Sequence, residues 1–282
     1  MAVLPYFLQT APAEIYRKIR NFQMNPISRD KLYDKDNINI FPLSALVSAS
    51  VSVPVSIAVD GPSGAGKSSL AKSLAEKLGF LYLDTGALYR TIGLYVYEAG
   101  IDGHEINKIV NCVESQNINI EVVYKNGEQR VFLNKKDVSE KIRENHISKY
   151  ASDVSKIPEV RGFLLKIQKE SAEKNNIIMD GRDIGTVILP NASVKIFLTA
   201  SPEERAKRRF EELTEKGRDV DYNEILLEIN ARDAQDSQRD ASPLRPADDA
   251  VILDNSYCKT PNDTLNKALN IIKEMLPDVC VR

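Results

Sequence analysis

The run GPSGAGKS, Gly61 to Ser68, fits the pattern G-x-x-x-x-G-K-[ST] without a mismatch. Gly61, Gly64 and Gly66 free the backbone to take positive φ and to turn its N–H groups toward phosphate oxygens. Pro62, Ser63 and Ala65 fill the other loop positions. Lys67 supplies a mobile cation for β- and γ-phosphates. Ser68 offers a hydroxyl to Mg2+, and Ser69 follows it in the first helical turn. Such a loop grips the donor, a nucleoside triphosphate, and leaves the acceptor open. A GTPase, an ATP-driven motor and a small-molecule kinase all share it.

Phosphoryl transfer needs charge neutralisation more than covalent chemistry, so arginines near strand ends identify the rest of a site. Four segments carry them. LDTGALYR places Asp84 to Gly86 at a strand end and Arg90 in the following helix, where it can clamp a phosphate. MDGRDIGTVI sets Asp180 and Asp183 on either side of Gly181 and Arg182. Asp180 suits a Mg2+-bound water or an arginine, and Arg182 suits the transferring phosphate. EERAKRR holds Arg205, Arg208 and Arg209, two of them on one helical face. In ARDAQDSQRD, the positions of Arg232, Asp236 and Arg239 bring the three to one face. The last two helices flank Gly217 and have the make-up of an arginine-bearing lid that closes over phosphates and excludes water.

The elements that must position these residues alternate. VSIAVDG, FLYLDTG, NIIMDG, VKIFLTA and AVILDN are buried strands, and amphipathic helices stand between them. That alternation implies a parallel sheet covered on both faces, with right-handed crossovers. INIEVVYKNGEQRVFLNKKDVS departs from it. Two alternating β runs surround Asn126-Gly127, a strong hairpin turn, so a small antiparallel unit interrupts the α/β chain.

The chain has 282 residues, 43% of them apolar, with a formal net charge of -2. That suffices for a substantial core and argues against coating nucleic acid or an anionic membrane. Cys112, Cys258 and Cys280 lack the spacing of a zinc or redox motif, which fits reduced thiols and a cytoplasmic protein. His104 and His146 are too few for a histidine metal site. No run reaches the ~20 apolar residues of a membrane span. Residues 1–52 are irregular and rich in scattered prolines, and are expected to form a partly disordered extension with a short helix near Glu14 to Phe22. IYRKIRNFQMNPISR has some character of a targeting helix, but Asp30, Asp34 and Asp36 follow closely.

IAVDGPSGAGKSS, LDTGALYR, MDGRDIGTVILPNASVKIFLTASPEERAKRR and EINARDAQDSQRDASPL resemble, in order and spacing, the bacterial-type cytidylate kinase family of nucleoside monophosphate (NMP) kinases. The resemblance spans about residues 53–276. It implies the P-loop NMP-kinase fold, a three-layer α/β structure with a parallel sheet core. A small antiparallel insertion enlarges the NMP-binding region, about residues 84–165, and a helical lid spans about residues 203–240. It implies transfer of the ATP γ-phosphate to CMP or dCMP with Mg2+, giving CDP or dCDP and ADP. Lys67, Arg182, Arg232 and Arg205 would be catalytic, with Gly61 to Ser69 holding ATP. Asp84, Thr85 and Arg90 would lie near the acceptor phosphate, which Arg182 and Arg239 would hold. Ser152, Arg161 and Asp183 would recognise cytosine, Arg232 and Asp236 would contact the pentose, and Arg205 and Arg208 would belong to the lid. Family members often carry serine where Thr85 stands. A monomer without nucleic-acid or membrane partners is expected.

Two other readings fit the phosphate loop. Another small-molecule kinase, such as an adenylate or shikimate kinase, could share the core. A GTPase would want a guanine-reading N-K-x-D motif, and Asn134-Lys135-Lys136-Asp137 spells one, although it directly follows the hairpin strand RVFL and precedes the late core strands.

Overall fold

The computed structural model describes residues 53–115, 118–125, 128–239 and 242–279. The expected extension over residues 1–52, the Asn126-Gly127 turn and Cys280 lie outside them. In chain order the elements are β1 (Ser56–Asp60), α1 (Lys67–Leu78), β2 (Leu81–Asp84), α2 (Thr85–Glu98) and α3 (Ile106–Glu114). Three short strands follow, β3 (Ile120–Lys125), β4 (Glu128–Leu133) and β5 (Lys136–Asp137), then a 3-10 turn over Lys141–Arg143. Next come α4 (Asn145–Val154), α5 (Pro158–Lys174), β6 (Ile177–Gly181), a π-helical turn over Ile184–Ile188 and β7 (Val194–Thr199). The chain continues through α6 (Pro202–Glu215), α7 (Tyr222–Ser237), β8 (Val251–Asp254) and α8 (Pro261–Met275).

The main sheet runs β2-β6-β1-β7-β8, with every neighbouring pair parallel. Side chains alternate across it, as strand geometry dictates. Ile57, Val59 and Ile178 join the core that Leu70 and Leu74 of α1 and Leu265 and Ile272 of α8 cover. Ala58, Leu83, Ile177 and Met179 face the other way, with Leu165 of α5 packed over them. Burial on both faces explains why these strands read as continuous apolar runs. The chain leaves β1 for the outer strand β2, returns to β6 beside β1, then crosses to β7. The order therefore reverses next to β1, and the carboxyl ends of β1 and β6 border the crevice where such sheets bind ligands.

β3, β4 and β5 form a separate antiparallel sheet. Ile120, Val131 and Leu133 bury one face of it against Leu88 and Ile92 of α2 and residues of α3 to α5. The two β runs stand where the alternation places them, and β5 is an added edge strand. Asn134 and Lys135 both take positive φ, 49° and 69°, and turn β4 into β5. Asn134-Lys135-Lys136-Asp137 is thus hairpin chemistry. The Asp137 carboxylate accepts from Ser139 and Arg130, which hold its pKa down near about 2. Two further elements were not anticipated, the helix α3 and the π-helical turn after Asp183. Helix α2 begins at Thr85, where the strand pattern continued to Gly86, because Asp84 caps it by accepting from Ala87 N–H at 2.9 Å.

Candidate active site

The phosphate loop is shaped by what crowds it. Gly61 has φ 148°, and a Cβ there would stand 1.9 Å from the Leu198 carbonyl oxygen of the neighbouring strand. Gly66, at φ 89°, caps α1 with no side-chain hydrogen bond, so no side chain competes for the free N–H groups of the first turn. Lys67 is buried, and its Nζ donates to the Pro62 carbonyl at 2.7 Å. Burial, then the nearby Arg182 charge, lowers its pKa well below a lysine's ordinary value. The Ser68 hydroxyl donates to Asp180 Oδ2 at 2.8 Å, and the Tyr82 hydroxyl donates to Oδ1 at 2.8 Å. Burial, then Asp84, raises the Asp180 pKa.

Opposite the loop, the sequence-predicted residues converge on one cavity of about 460 Å³. Lys67, Ser68, Asp84, Thr85, Arg90 and Asp180 form one part of its wall. Ser152, Arg161, Arg182, Asp183, Arg232 and Arg239 form another. Arg90 donates to Asp84 Oδ2 at 2.8 Å. Arg182 Nε donates to Asp236 Oδ2 at 2.8 Å, and Arg239 donates to the other oxygen of the same carboxylate. Arg232 makes no hydrogen bond or ion pair with any described residue, and desolvation and then Arg182 lower its pKa. The Nε groups of Arg90 and Arg239 are buried without a partner among the described residues. Arg161 pairs with the buried Asp183, donates to the Ser155 carbonyl at 3.4 Å and lies 5.9 Å from the centroid of the Tyr89 ring. The Ser152 hydroxyl accepts from Gln235 of α7 at 3.4 Å.

Several residues sit differently from their expected places. Arg205, expected on a mobile lid, is only 2% exposed. It donates to the Ser63 carbonyl of the phosphate loop at 2.9 Å, to the Ala200 carbonyl at 3.0 Å and to Asp233, away from the cavity wall. A buried guanidinium needs all these acceptors, so it braces the loop. Arg208 donates to Asn255 Oδ1 and to the Asn255 carbonyl at 3.1 and 2.9 Å. Arg209 pairs with Glu212 at the surface. Asp236 lies behind Arg182 and Arg239, 2% exposed, with both oxygens engaged, instead of on the wall where a pentose would touch it. Thr85 lines the cavity, and its hydroxyl donates to the Asp180 carbonyl at 2.7 Å.

The sequence also concealed supporting residues. Asp60, at the end of β1, accepts from Ile184 N–H at 2.8 Å and Gly185 N–H at 2.7 Å, anchoring the turn that presents Arg182 and Asp183. Burial raises its pKa from 3.8 to about 6. Asn255, at the end of β8, donates to the Ala65 carbonyl of the phosphate loop at 3.0 Å. Both bonds join residues more than a hundred positions apart, 124 and 190. No local pattern signals them.

A phosphate loop after β1 on a parallel sheet, faced across a cavity of about 460 Å³ by Arg90, Arg182, Arg232 and Arg239, defines a P-loop kinase of small molecules. Comparison with known proteins narrows the class. The cytidylate kinase family profile matches residues 57–274. A cytidylate kinase from Caldicellulosiruptor saccharolyticus is 50% identical over 222 residues, covering 79% of this chain and 97% of that one. One from Caldanaerobacter subterraneus subsp. tengcongensis is 51% identical over 206 residues, covering 73% and 89%. The chain belongs to the cytidylate kinase family. A solved shikimate kinase from Bacteroides thetaiotaomicron is 14% identical with TM-score 0.39, covering 79% and 98%, a likeness too remote to favour the shikimate alternative.

Proposed function

We propose that this protein transfers the γ-phosphoryl group of ATP to CMP or dCMP, giving ADP and CDP or dCDP. The observation that carries the cytosine assignment is the Arg161–Asp183 pair on the cavity wall. Cytosine offers an exocyclic amine as donor and N3 and O2 as acceptors. The Asp183 carboxylate suits the amine, and Arg161, with Ser152 beside it, suits the acceptors. Uracil reverses the polarity at positions 3 and 4 and would leave Asp183 facing a carbonyl.

Arg90, Arg182 and Arg239 hold the acceptor phosphate, and Arg232, without a partner among the described residues, is available to the charge that develops during transfer. The acceptor phosphate is already an anion at neutral pH, so no general base is needed. Positioning and electrostatics lower the barrier. Lys67 leaves the Pro62 carbonyl for phosphate oxygens, whose charge offsets its desolvation. Arg205 and Asp236 are positioning residues, the first for the loop and the second for two arginines. Helices α6 and α7 serve as the lid, which Arg205 ties to the phosphate loop at its base.

Mg2+ would ride on the triphosphate. Among the described residues no group of three or more His, Cys, Asp or Glu could hold a metal unaided. The Ser68–Asp180 pair, whose buried carboxylate pays for its ionisation, fits the two-ligand role that Mg2+ asks of a protein. When bound, the ion supplies charge neutralisation between the phosphates. No described helix is long and apolar enough to cross a membrane. We take the protein to act as a cytoplasmic monomer, a state that a heavier species in sedimentation would contradict. The activity is tested by following ADP release from ATP and Mg2+. Release should depend on CMP or dCMP and stop with EDTA, whereas release indifferent to CMP overturns the assignment.

A further inference from the structure

The small antiparallel sheet reaches Asp84 through a side chain of its β4 strand. Gln129 of β4 accepts a hydrogen bond from the backbone N–H of Asp84, at the end of β2, at 2.7 Å. Asp84 then divides its carboxylate. One oxygen accepts from Ala87 N–H at 2.9 Å and starts α2, and the other accepts from Arg90 at 2.8 Å. A single amide oxygen from the insertion therefore fixes the backbone of the residue that aims Arg90 into the cavity.

The placement is costly, which argues against a packing role. The Gln129 Nε2 group is buried without a partner among the described residues. Tyr124, directly opposite in the β3–β4 ladder, likewise buries an unpartnered hydroxyl. Unsatisfied buried donors destabilise, and an apolar side chain of the same length would avoid one of them. What only glutamine supplies here is the oxygen that meets Asp84. Arg90 itself keeps a buried Nε that has no partner among the described residues, so its orientation is not otherwise fully satisfied by them.

We infer that Gln129 is a positioning residue for the acceptor phosphate, acting through Asp84 on Arg90, and that the insertion thereby tunes acceptor binding. The inference rests on the assignment of Arg90 to the acceptor phosphate. Gln129→Met keeps the length of the side chain and removes the oxygen. The test is a double-mutant cycle in steady-state kinetics with Arg90→Ala. Gln129→Met should raise KM for CMP about three- to tenfold, the range expected for one lost hydrogen bond, and leave KM for ATP unchanged. In the Arg90→Ala background the same change should add less than twofold. Arg90→Ala alone must raise KM for CMP; if it does not, the assignment of Arg90 fails, whatever Gln129 does. If Arg90→Ala acts and Gln129→Met does not, or acts equally in both backgrounds, or raises both KM values together, the positioning role is overturned. Should Gln129→Met fold poorly, Gln129→Ala is read in the same cycle with the same outcomes.

Discussion

Replacing Asp236 by Asn tests how the arginines are held. The carboxylate is 2% exposed and engages Arg182 at 2.8 Å through one oxygen and Arg239 through the other. Asn keeps the shape and one acceptor but loses the charge, and its NH2 then faces a guanidinium that has nothing to accept. Breaking a buried ion pair by removing one partner costs about 3–5 kcal/mol. The two arginine side chains retain 20% and 14% exposure, so water softens the penalty and about 3 kcal/mol is the expected figure. For a domain of this size each kcal/mol moves Tm by roughly 2–4 °C, so the variant should melt roughly 6–12 °C lower. Activity should suffer separately. Arg182 and Arg239 would no longer be preoriented, and kcat should fall by about 10²-fold while KM for ATP stays near its original value. Differential scanning fluorimetry and a coupled ADP assay measure both. A Tm within 2 °C of the parent together with kcat within about threefold would refute the view that this carboxylate holds the two arginines.

Two further outcomes follow from the buried charges. Lys67→Ala should lower kcat by about 10²-fold or more in the steady state, since its cation acts on charge that grows during transfer; a nearly unchanged kcat would remove it from the catalytic set. Asp60 should leave a pH signature. Its pKa is about 6 in the folded protein against 3.8 when unfolded, so the folded state binds more protons between these values. The stability contributed by this group is therefore full below about pH 4 and declines as pH rises through about 6, by about 3 kcal/mol. The difference in unfolding free energy between the parent and Asp60→Asn should shift by about that amount between pH 3 and pH 7, and a constant difference would contradict the assignment.

Much of this architecture was legible because it is written locally. The phosphate loop, the alternation of buried strands with helices and the two β runs of the insertion each depend on neighbours within a few residues. The arginine clusters were also legible, and most converge on one cavity. What a basic helix conceals is the fate of each charge. Arg205 and Arg208 look alike in EERAKRR, yet one is sealed beneath the phosphate loop and the other is tied to Asn255 at the end of β8. Asp236 reads as a wall residue from its helical face, but its oxygens are taken from behind. Asp60 and Asn255 carry no motif at all, because their bonds cross the sheet between distant segments. Asn134 to Asp137 spells a motif whose position after RVFL speaks against it, and two left-handed residues make it a turn.

We propose that Arg161 and Asp183 select cytosine for phosphorylation. The most direct measurement gives the purified protein ATP, Mg2+ and an equimolar mixture of CMP and UMP, and follows CDP and UDP by chromatography over the first few per cent of turnover. CDP should exceed UDP by about 10²-fold or more, because uracil leaves buried polar groups unpaired. Comparable rates for the two products would contradict the account.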